Sequence, residues 1–276
     1  MWCEETFADR VRYGLRASRV VYEGRSAYQT IAIYETLQYG RVLALDGVFQ
    51  TGERGEHFYH EMIAHPALCA APSPERVLVI GGGDGGTARE VLRHPEVRSC
   101  VLVEIDGLVM EACREHLPLG RAAWRDPRLE VVLGDGVAYV REAPSSSFDV
   151  VIVDGSDPVG PSEGLFGEGF YRHCSRVLAG RGVFVTQSES PILDLELFLD
   201  IQRRLRAVFP RVTPLVGPAP LYGAEQWSWT LCTHGGDPLE LDVSRAARVE
   251  PLLRYYHRDL HRASAVLSAE LRRLLG

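Results

Sequence analysis

The 276-residue sequence contains no lysine and no asparagine. All thirty side chains with a fixed positive charge are therefore arginines. A Schiff base needs a lysine amine, and a nucleotide-binding loop of the Walker type needs a lysine beside the phosphates. Both kinds of chemistry are excluded for this chain.

Closely spaced cysteines are also absent. The six cysteines, Cys3, Cys69, Cys100, Cys113, Cys174 and Cys232, never lie within four residues of one another. Zinc-finger and dithiol motifs need closer spacing, so neither is present. Most of these cysteines have apolar neighbours, which predicts buried free thiols in a reducing compartment.

The chain has no long apolar run. A membrane-spanning helix needs about 20 consecutive apolar residues, whereas the strongly apolar residues 77–80 run directly into glycines. The N-terminus carries Glu4 and Glu5 where a signal peptide would carry basic residues. We therefore expect a soluble, cytoplasmic protein with no membrane partner.

Basic side chains are not clustered either. The net charge is −7, and the strongest arginine runs, such as Arg203-Arg204, are only pairs. A protein that grips nucleic-acid phosphates usually needs a basic face, so we predict no nucleic-acid partner. The acidic balance favours cationic ligands instead, although only weakly on its own.

The sequence changes its pattern near residue 54. Before it, residues 29–34 alternate polar with apolar side chains, and Asp46-Gly47 marks a hairpin turn. This predicts a small antiparallel β domain over residues 1–54. A helix is predicted over residues 53–70, ended by Pro72 and Pro74.

Beyond this helix, short apolar runs alternate with helical segments. Strands are predicted at residues 76–80, 100–103, 129–133, 148–153 and 182–186, and helices at 87–93 and 108–117. Runs so rich in valine and isoleucine imply a parallel sheet that is covered on both faces. We predict an α/β fold for residues 55–276: a Rossmann-like, doubly wound, mostly parallel sheet of the methyltransferase type.

Such sheets bind ligands at the carboxyl ends of their strands, and the loops there carry glycine or acid. Residues 81–86 read Gly-Gly-Gly-Asp-Gly-Gly, and Asp84 within them would repel a pyrophosphate and attract a cation. Glu104 ends the next strand, where it could accept hydrogen bonds from ribose hydroxyls. Asp135-Gly136 suits an adenine amine. The pattern favours a sulfonium adenosine over a nicotinamide dinucleotide.

A fourth loop, residues 154–161, follows a buried strand. It holds Asp154 and Asp157 three residues apart, together with Pro158 and Pro161. Helix capping would explain one of the two carboxylates. It does not explain both of them in a segment stiffened by two prolines, so we predict a functional loop.

Five segments, in order along the chain, resemble the polyamine aminopropyltransferases, specifically the spermidine synthases. They are Tyr59-His60-Glu61-Met62, residues 81–86, Val103-Glu104-Ile105-Asp106, residues 154–161, and Tyr255-Tyr256 with His261. The resemblance implies transfer of the aminopropyl group of decarboxylated S-adenosylmethionine to putrescine, which gives spermidine and methylthioadenosine. The donor is then a co-substrate, no cofactor or metal is required, and a homodimer or homotetramer is expected.

The resemblance also implies roles for individual residues. The nucleoside would be contacted by Gln29, Gln50, Gly81, Gly83, Asp84, Glu104, Asp135, Gly136 and Pro161. The polyamine would be contacted by His60, Asp84, Asp154, Asp157 and Tyr222. Asp154 would be the catalytic base, and Tyr59 would lie beside the attacking nitrogen.

Two departures from the family pattern concern the amine acceptor. The family usually has Pro-Thr-Tyr-Pro-Ser-Gly where residues 220–225 read Pro-Leu-Tyr-Gly-Ala-Glu, and residues 266–268 replace a Leu-Pro pattern. Agmatine, cadaverine and spermidine therefore stand as alternatives to putrescine. A methyltransferase, an NAD-dependent oxidoreductase and a non-catalytic nucleoside- or polyamine-binding protein are the alternative functions.

Overall fold

The computed structural model describes residues 1–7, 11–223 and 225–276. The N-terminal part of the chain contains an antiparallel sheet of five strands, which pair in chain order. They are β1 (Trp2–Phe7), β2 (Val11–Arg25), β3 (Thr30–Thr36), β4 (Gly40–Leu45) and β5 (Val48–Gly52). The predicted turn joins β4 to β5, and Asp46 and Gly47 both have positive φ, as a two-residue hairpin requires.

A second sheet has seven strands in the order β11-β12-β10-β9-β6-β7-β8. They are β6 (Arg76–Gly81), β7 (Ser99–Glu104), β8 (Leu129–Leu133), β9 (Phe148–Asp154), β10 (Leu178–Gln187), β11 (Arg211–Ala219) and β12 (Glu225–Thr233). All neighbouring pairs are parallel except the two that involve β12. The predicted mostly parallel, doubly wound sheet is confirmed.

Helices cover both faces of this sheet. They are α1 (Glu56–Ala70), α2 (Gly86–Leu92), α3 (Gly107–His116), α4 (Gly136–Glu142), α5 (Glu168–Val177), α6 (Leu195–Arg206), α7 (Val243–Val249), α8 (Arg258–Ala263) and α9 (Ala269–Leu275). The α1 helix begins three residues later than predicted, because Gly55 before it has a left-handed backbone. Within the described residues, no helix is long and apolar enough to cross a membrane.

The interior of the molecule lies on both sides of β6. Val77 and Val79 belong to the apolar cluster beneath α1, whereas Leu78 and Ile80 belong to the cluster on the opposite face. All four side chains are buried. Because successive strand residues point to opposite faces, this arrangement accounts for the unbroken apolar run in the sequence.

The change from one architecture to the other falls between Gly52 and Glu56. This lies close to the predicted boundary after residue 54. The division into domains of residues 1–54 and 55–276 stays a prediction.

The C-terminal segment is anchored to α1 by one buried carboxylate. Glu61 accepts the backbone N–H of Arg254 at 2.9 Å and those of Tyr255 and Tyr256 at 2.8 Å each. The Tyr256 hydroxyl also lies 2.8 Å from Nδ1 of His261. Two of the segments that carry the family resemblance therefore meet here, and their contact is part of the scaffold.

We expect Glu61→Gln to lower the free energy of unfolding by roughly 2–3 kcal/mol, because the buried amide loses the charge that strengthens these hydrogen bonds and turns a donor towards other donors. Thermal and urea unfolding would measure the change. Glu115→Gln is the control, since the Glu115 side chain is 77% exposed. Equal stability of the two variants would contradict the anchoring role.

Candidate active site

The candidate site lies at the carboxyl ends of β6, β7 and β9. The ends of β6 and β9 approach closely there, and the N–H of Gly82 donates to the carbonyl of Asp154 at 2.9 Å. A Cβ on Gly81 would lie 2.2 Å from the same carbonyl oxygen, and Gly81 has a φ of +81°. Only glycine fits this position. The glycine loop and the acidic loop are thereby brought to one cavity.

This first cavity collects the residues that were predicted to contact a nucleoside. Its lining includes Gln29, Gln50, Gly81, Gly83, Asp84, Glu104, Asp135, Gly136 and Pro161. The structure brings all nine of them together, although their roles stay predictions. Apolar side chains that the sequence analysis did not single out complete the wall: Leu43, Leu45, Ile80, Val103, Ile105, Val109 and Leu165.

Glu104 is the buried acid of this cavity. Its Oε1 accepts the N–H of Asp106 at 2.9 Å. A Cβ on Gly83 would lie 2.9 Å from its other oxygen, so the neighbouring glycine makes room for the carboxylate. Burial raises the pKa of Glu104 to about 7. The side chain therefore changes its charge close to neutral pH.

Asp106 connects the two sheets at the edge of the cavity. Its Oδ2 accepts the Ser26 hydroxyl at 2.6 Å and the Gln29 amide at 2.9 Å. Its Oδ1 accepts the N–H of Leu108 and so caps α3. Asp106 belongs to one of the segments that carry the family resemblance, but the sequence indicated no role for it. Its contacts orient Gln29, whose amide oxygen is left for a ligand.

Asp135 lies between β8 and α4 and has two carboxylate oxygens that can accept separate partners. Its Oδ1 caps α4 by accepting the N–H of Val137 at 2.8 Å. The other carboxylate oxygen is not used by this cap. A helix cap and a ligand contact are therefore compatible in one side chain, since each carboxylate oxygen is a separate acceptor.

Asp154 lines the same cavity, and two hydroxyls fix its carboxylate. Tyr59 donates to Oδ1 at 2.8 Å, and Thr87 donates to Oδ2 at 2.6 Å. Burial raises the pKa of Asp154, and the negative charge of Asp84 adds to the effect. Thr87 is a contact that sequence reasoning missed. Its place at the start of α2 gave no signal, because a helix N-terminus commonly carries threonine.

Asp84 differs from Asp154 in having the His60 ring within ion-pair distance. It accepts the N–H of Gly86 at 2.7 Å, and its Oδ2 lies 3.3 Å from Nε2 of His60. The opposite ring nitrogen of His60 lies 2.6 Å from Glu56. Burial would raise the pKa of Asp84, but the nearby His60 outweighs it and lowers that pKa.

A second cavity adjoins the first. The residues that line both are Gln50, Tyr59, Gly155, Ser156 and Tyr222. The described lining that belongs to the second cavity alone is Glu5, Val48, Phe49, Asp157, Gln187, Leu193 and Trp227. Among the residues predicted to contact the polyamine, Asp157 and Tyr222 lie here, whereas His60, Asp84 and Asp154 line the first cavity.

The second cavity is acidic and buried. Glu5 accepts the N–H of Phe49 at 2.7 Å, and burial raises the pKa of Glu5 to about 7. Burial also raises the pKa of Asp157. Behind them, Glu189 has a φ of +66°, and burial followed by the charge of Asp157 raises its pKa well above the usual range. Sequence reasoning missed Glu5 and Glu189, because neither lies in a recognisable motif.

Tyr222 contributes its ring to the wall between the cavities. Its hydroxyl donates to the Gln50 carbonyl at 2.7 Å, so that group is already bonded. Its ring meets those of Tyr59 and Trp227 edge to face. Within the described part of the chain, no group of three His, Cys, Asp or Glu side chains is placed to hold a metal ion.

Family models match both parts of the chain. The model described as "Spermine/spermidine synthase domain" matches residues 56–240, and that described as "Spermidine synthase tetramerisation domain" matches residues 1–53. The polyamine aminopropyltransferase of Prochlorococcus marinus (strain MIT 9313) is 50% identical over 227 residues, which cover 82% of this chain and 79% of that protein. That of Caldicellulosiruptor bescii is 41% identical and covers 95% and 94%.

Solved structures give the same result. A spermidine synthase crystallised with the transition-state analogue AdoDATO superposes with a TM-score of 0.97 at 39% identity, over 100% of this chain and 95% of that one. The spermidine synthase of Thermotoga maritima superposes with a TM-score of 0.95 at 39% identity, over 100% and 94%. The similarity thus spans both sheets.

The pKa of Glu104 predicts a pH dependence for nucleoside binding. On the predicted role of Glu104, ribose hydroxyls donate to its ionised carboxylate, so we expect the affinity for methylthioadenosine to fall as the pH drops below about 7, by up to about tenfold per pH unit. Calorimetric titration between pH 5.5 and 8 would measure it. Glu104→Gln should bind more weakly and without this pH dependence.

Glu5→Gln is the matched control, because burial raises the pKa of Glu5 to about 7 as well, but in the second cavity. This variant should keep the pH dependence of the unchanged protein. A pH-independent affinity in the unchanged protein would contradict the assignment of Glu104.

Proposed function

The chain belongs to the spermine/spermidine synthase family and is an aminopropyltransferase, and on that premise we propose that it makes spermidine. The donor is decarboxylated S-adenosylmethionine, the acceptor is putrescine, and methylthioadenosine is the second product. One observation carries this proposal: the nucleoside-type cavity and the acidic cavity meet at Tyr59, beside the carboxylate of Asp154.

The first cavity supports the donor. Glu104 and Gln29 suit the ribose, Asp135 suits the adenine amine, and the apolar wall suits the adenine ring. Asp84 suits the ammonium at the end of the aminopropyl arm. The intact S-adenosylmethionine carries a carboxylate near this point, which Asp84 would repel. Two unit charges 4 Å apart interact by about 1 kcal/mol in water and by several kcal/mol in a partly desolvated site.

The second cavity supports a short diamine as acceptor. It offers Glu5 and Asp157 to an ammonium group and the apolar surfaces of Leu193 and Trp227 to methylene groups. Burial raises the pKa values of both acids. A cation that enters the cavity lowers these pKa values again, so the acids ionise and attract the cation. A diamine places one nitrogen here and the other at Asp154.

The reaction is a displacement at the carbon attached to sulfur. The nitrogen lone pair forms a bond to that carbon, the carbon–sulfur bond breaks, and sulfur leaves with the electron pair as a neutral thioether. The attacking ammonium must lose a proton to provide this lone pair. For an amine with a pKa near 10.4 this costs about 4–5 kcal/mol at pH 7.

Asp154 is proposed to take this proton. The other acids of the site also attract the acceptor, but attraction alone raises the pKa of its amine and works against proton loss. A carboxylate helps only if it bonds the nitrogen that reacts. The raised pKa of Asp154 makes it a stronger base than an exposed aspartate, and the hydroxyls of Tyr59 and Thr87 fix its orientation.

We also propose a cytoplasmic homodimer or homotetramer that assembles through residues 1–53. The matching family model is described as a tetramerisation domain, and this sheet exposes Trp2 and Leu37, which are 64% and 60% accessible. All six cysteines are free and buried, in keeping with a reducing compartment.

The proposed function is tested by supplying the purified protein with decarboxylated S-adenosylmethionine and, separately, putrescine, cadaverine, agmatine or spermidine. Mass spectrometry of the products and kcat/KM for each amine are measured. We expect spermidine from putrescine at the highest kcat/KM. A higher value for another amine would contradict the acceptor assignment, and no aminopropylated product with any amine would contradict the function.

Asp154→Asn should reduce kcat by about 10²–10⁴, the usual contribution of a general base, while methylthioadenosine binds as before. Rapid-quench kinetics and calorimetry would measure the two effects. The control is Asp149→Asn on the same strand, whose carboxylate pairs with Arg76 at 2.8 Å, away from both cavities. Near-normal turnover of Asp154→Asn would place the base elsewhere.

A further inference from the structure

His60 is held between two carboxylates. Its Nδ1 lies 2.6 Å from Oε2 of Glu56, and its Nε2 lies 3.3 Å from Oδ2 of Asp84. A neutral imidazole has only one N–H, whereas two ionised carboxylates both require a donor. With both contacts made, the ring carries two N–H groups and a positive charge. His60 is therefore a buried imidazolium, with its side chain only 4% exposed.

A second cation completes the cluster. Nη2 of Arg89 lies 2.7 Å from the same Glu56 oxygen, and Arg89 also donates to Glu90 at 2.7 Å and to the Leu119 carbonyl at 3.1 Å. Glu56 and Asp84 are thus balanced by His60 and Arg89. Buried charges persist when they are paired and hydrogen-bonded in this way.

The glycine loop makes room for the imidazole ring. A Cβ on Gly86 would lie 2.3 Å from Cε1 of His60 and 2.6 Å from each ring nitrogen. Gly86 is the first residue of α2 and is not among the glycines with positive φ. Glycine is therefore needed there for the ring and not for the backbone.

We infer that His60 is a positioning residue for Asp84: the imidazolium fixes the Asp84 carboxylate at the cavity wall in its ionised form, ready to hold the ammonium of the donor's aminopropyl arm. This rests on the proposed function. It differs from the polyamine contact implied by the family resemblance, since His60 lies outside the described lining of the acceptor-side cavity. Glu56 and Arg89 act one step further back, by fixing His60.

Charge explains why the cation is needed. Asp84 is buried, and the N–H of Gly86 is its backbone partner within the part of the chain that the structure describes. Without His60 the carboxylate would lose its cationic neighbour and face the negative charge of Asp154, so its pKa would rise. A protonated Asp84 is a poor partner for an ammonium. His60 itself faces Glu56 and Asp84 directly, Asp154 electrostatically and, through Glu56, Arg89.

The test compares two ligands that share the nucleoside. Methylthioadenosine lacks the ammonium arm, and decarboxylated S-adenosylmethionine has it. The ratio of their dissociation constants reports the binding of the ammonium arm alone. The titration of Glu104 does not change this ratio, because it affects the shared nucleoside of both ligands. It is measured by calorimetry from pH 5.5 to 8 for the unchanged protein, His60→Gln and Gly86→Ala, and the full-length protein is used throughout.

We expect His60→Gln to reduce the preference for the donor by at least about tenfold at pH 6, relative to the unchanged protein, and by less at pH 8. The sign follows from Asp84: its pKa rises in the variant, so its charge is lost as the pH falls. Gly86→Ala should act in the same direction, because it keeps the histidine but displaces the ring. Glu56→Gln should also reduce the preference for the donor, but by a smaller factor.

His57→Gln is the control, since His57 lies on the same helix but does not line either cavity within the described residues. It should keep the preference and its pH profile. An unchanged ratio in both His60→Gln and Gly86→Ala would overturn the inference. An equal loss of methylthioadenosine binding would overturn it too, because the role would then be structural.

The proposed function fails in a different way. If the unchanged protein binds methylthioadenosine as tightly as decarboxylated S-adenosylmethionine at every pH, then Asp84 does not hold the ammonium arm. In that case the donor assignment is wrong, whatever the variants do.

Discussion

The close approach of two strand ends is the constraint on which the site depends. The N–H of Gly82 at the end of β6 donates to the carbonyl of Asp154 at the end of β9, and a side chain on Gly81 would collide with that carbonyl. This contact places Asp84 and Asp154 on one cavity. It also fixes where α2 starts, and with it the positions of Thr87 and Gly86.

Carboxylates determine the chemistry of the two cavities, and the groups around each carboxylate determine its charge and its role. Asp84 is balanced by His60 and stays ionised. Asp154 accepts two hydroxyls, and burial outweighs the opposing charge of His60, so its pKa rises and it becomes a better proton acceptor. Glu5 and Asp157 have no ion-pair partner among the described residues, and they favour an incoming cation. Burial alone raises the pKa of every carboxylate, and the neighbour decides the outcome.

Much of this arrangement follows from the sequence. The buried strands β6, β7 and β9 are recognisable because valine, leucine and isoleucine fill both faces, and the rule that ligands bind at strand ends then selects the loops. The β11 strand was missed, since Pro214 and Pro218 argue against a strand. The structure shows why they are tolerated: β11 is at the edge of the sheet, where proline removes no essential hydrogen bond.

Contacts between distant segments were beyond the sequence. Glu5 reaches the acidic cavity because β1 contacts β5, although the two strands are not paired in the sheet, and nothing in residues 2–7 indicates that contact. The Glu56–His60–Asp84 arrangement needs the ring to lie over Gly86, which spacing cannot reveal. Helical periodicity places Glu56 and His60 on one face, but the third partner comes from another element.

We propose that a short diamine bridges the two cavities, with one nitrogen at Asp154 and the other among the acids of the second cavity. A crystal structure of the protein with methylthioadenosine and putrescine tests it most directly. We expect one putrescine nitrogen within hydrogen-bond distance of Asp154 and the other beside Glu5 or Asp157. A putrescine bound with neither nitrogen near Asp154, or outside both cavities, would contradict it.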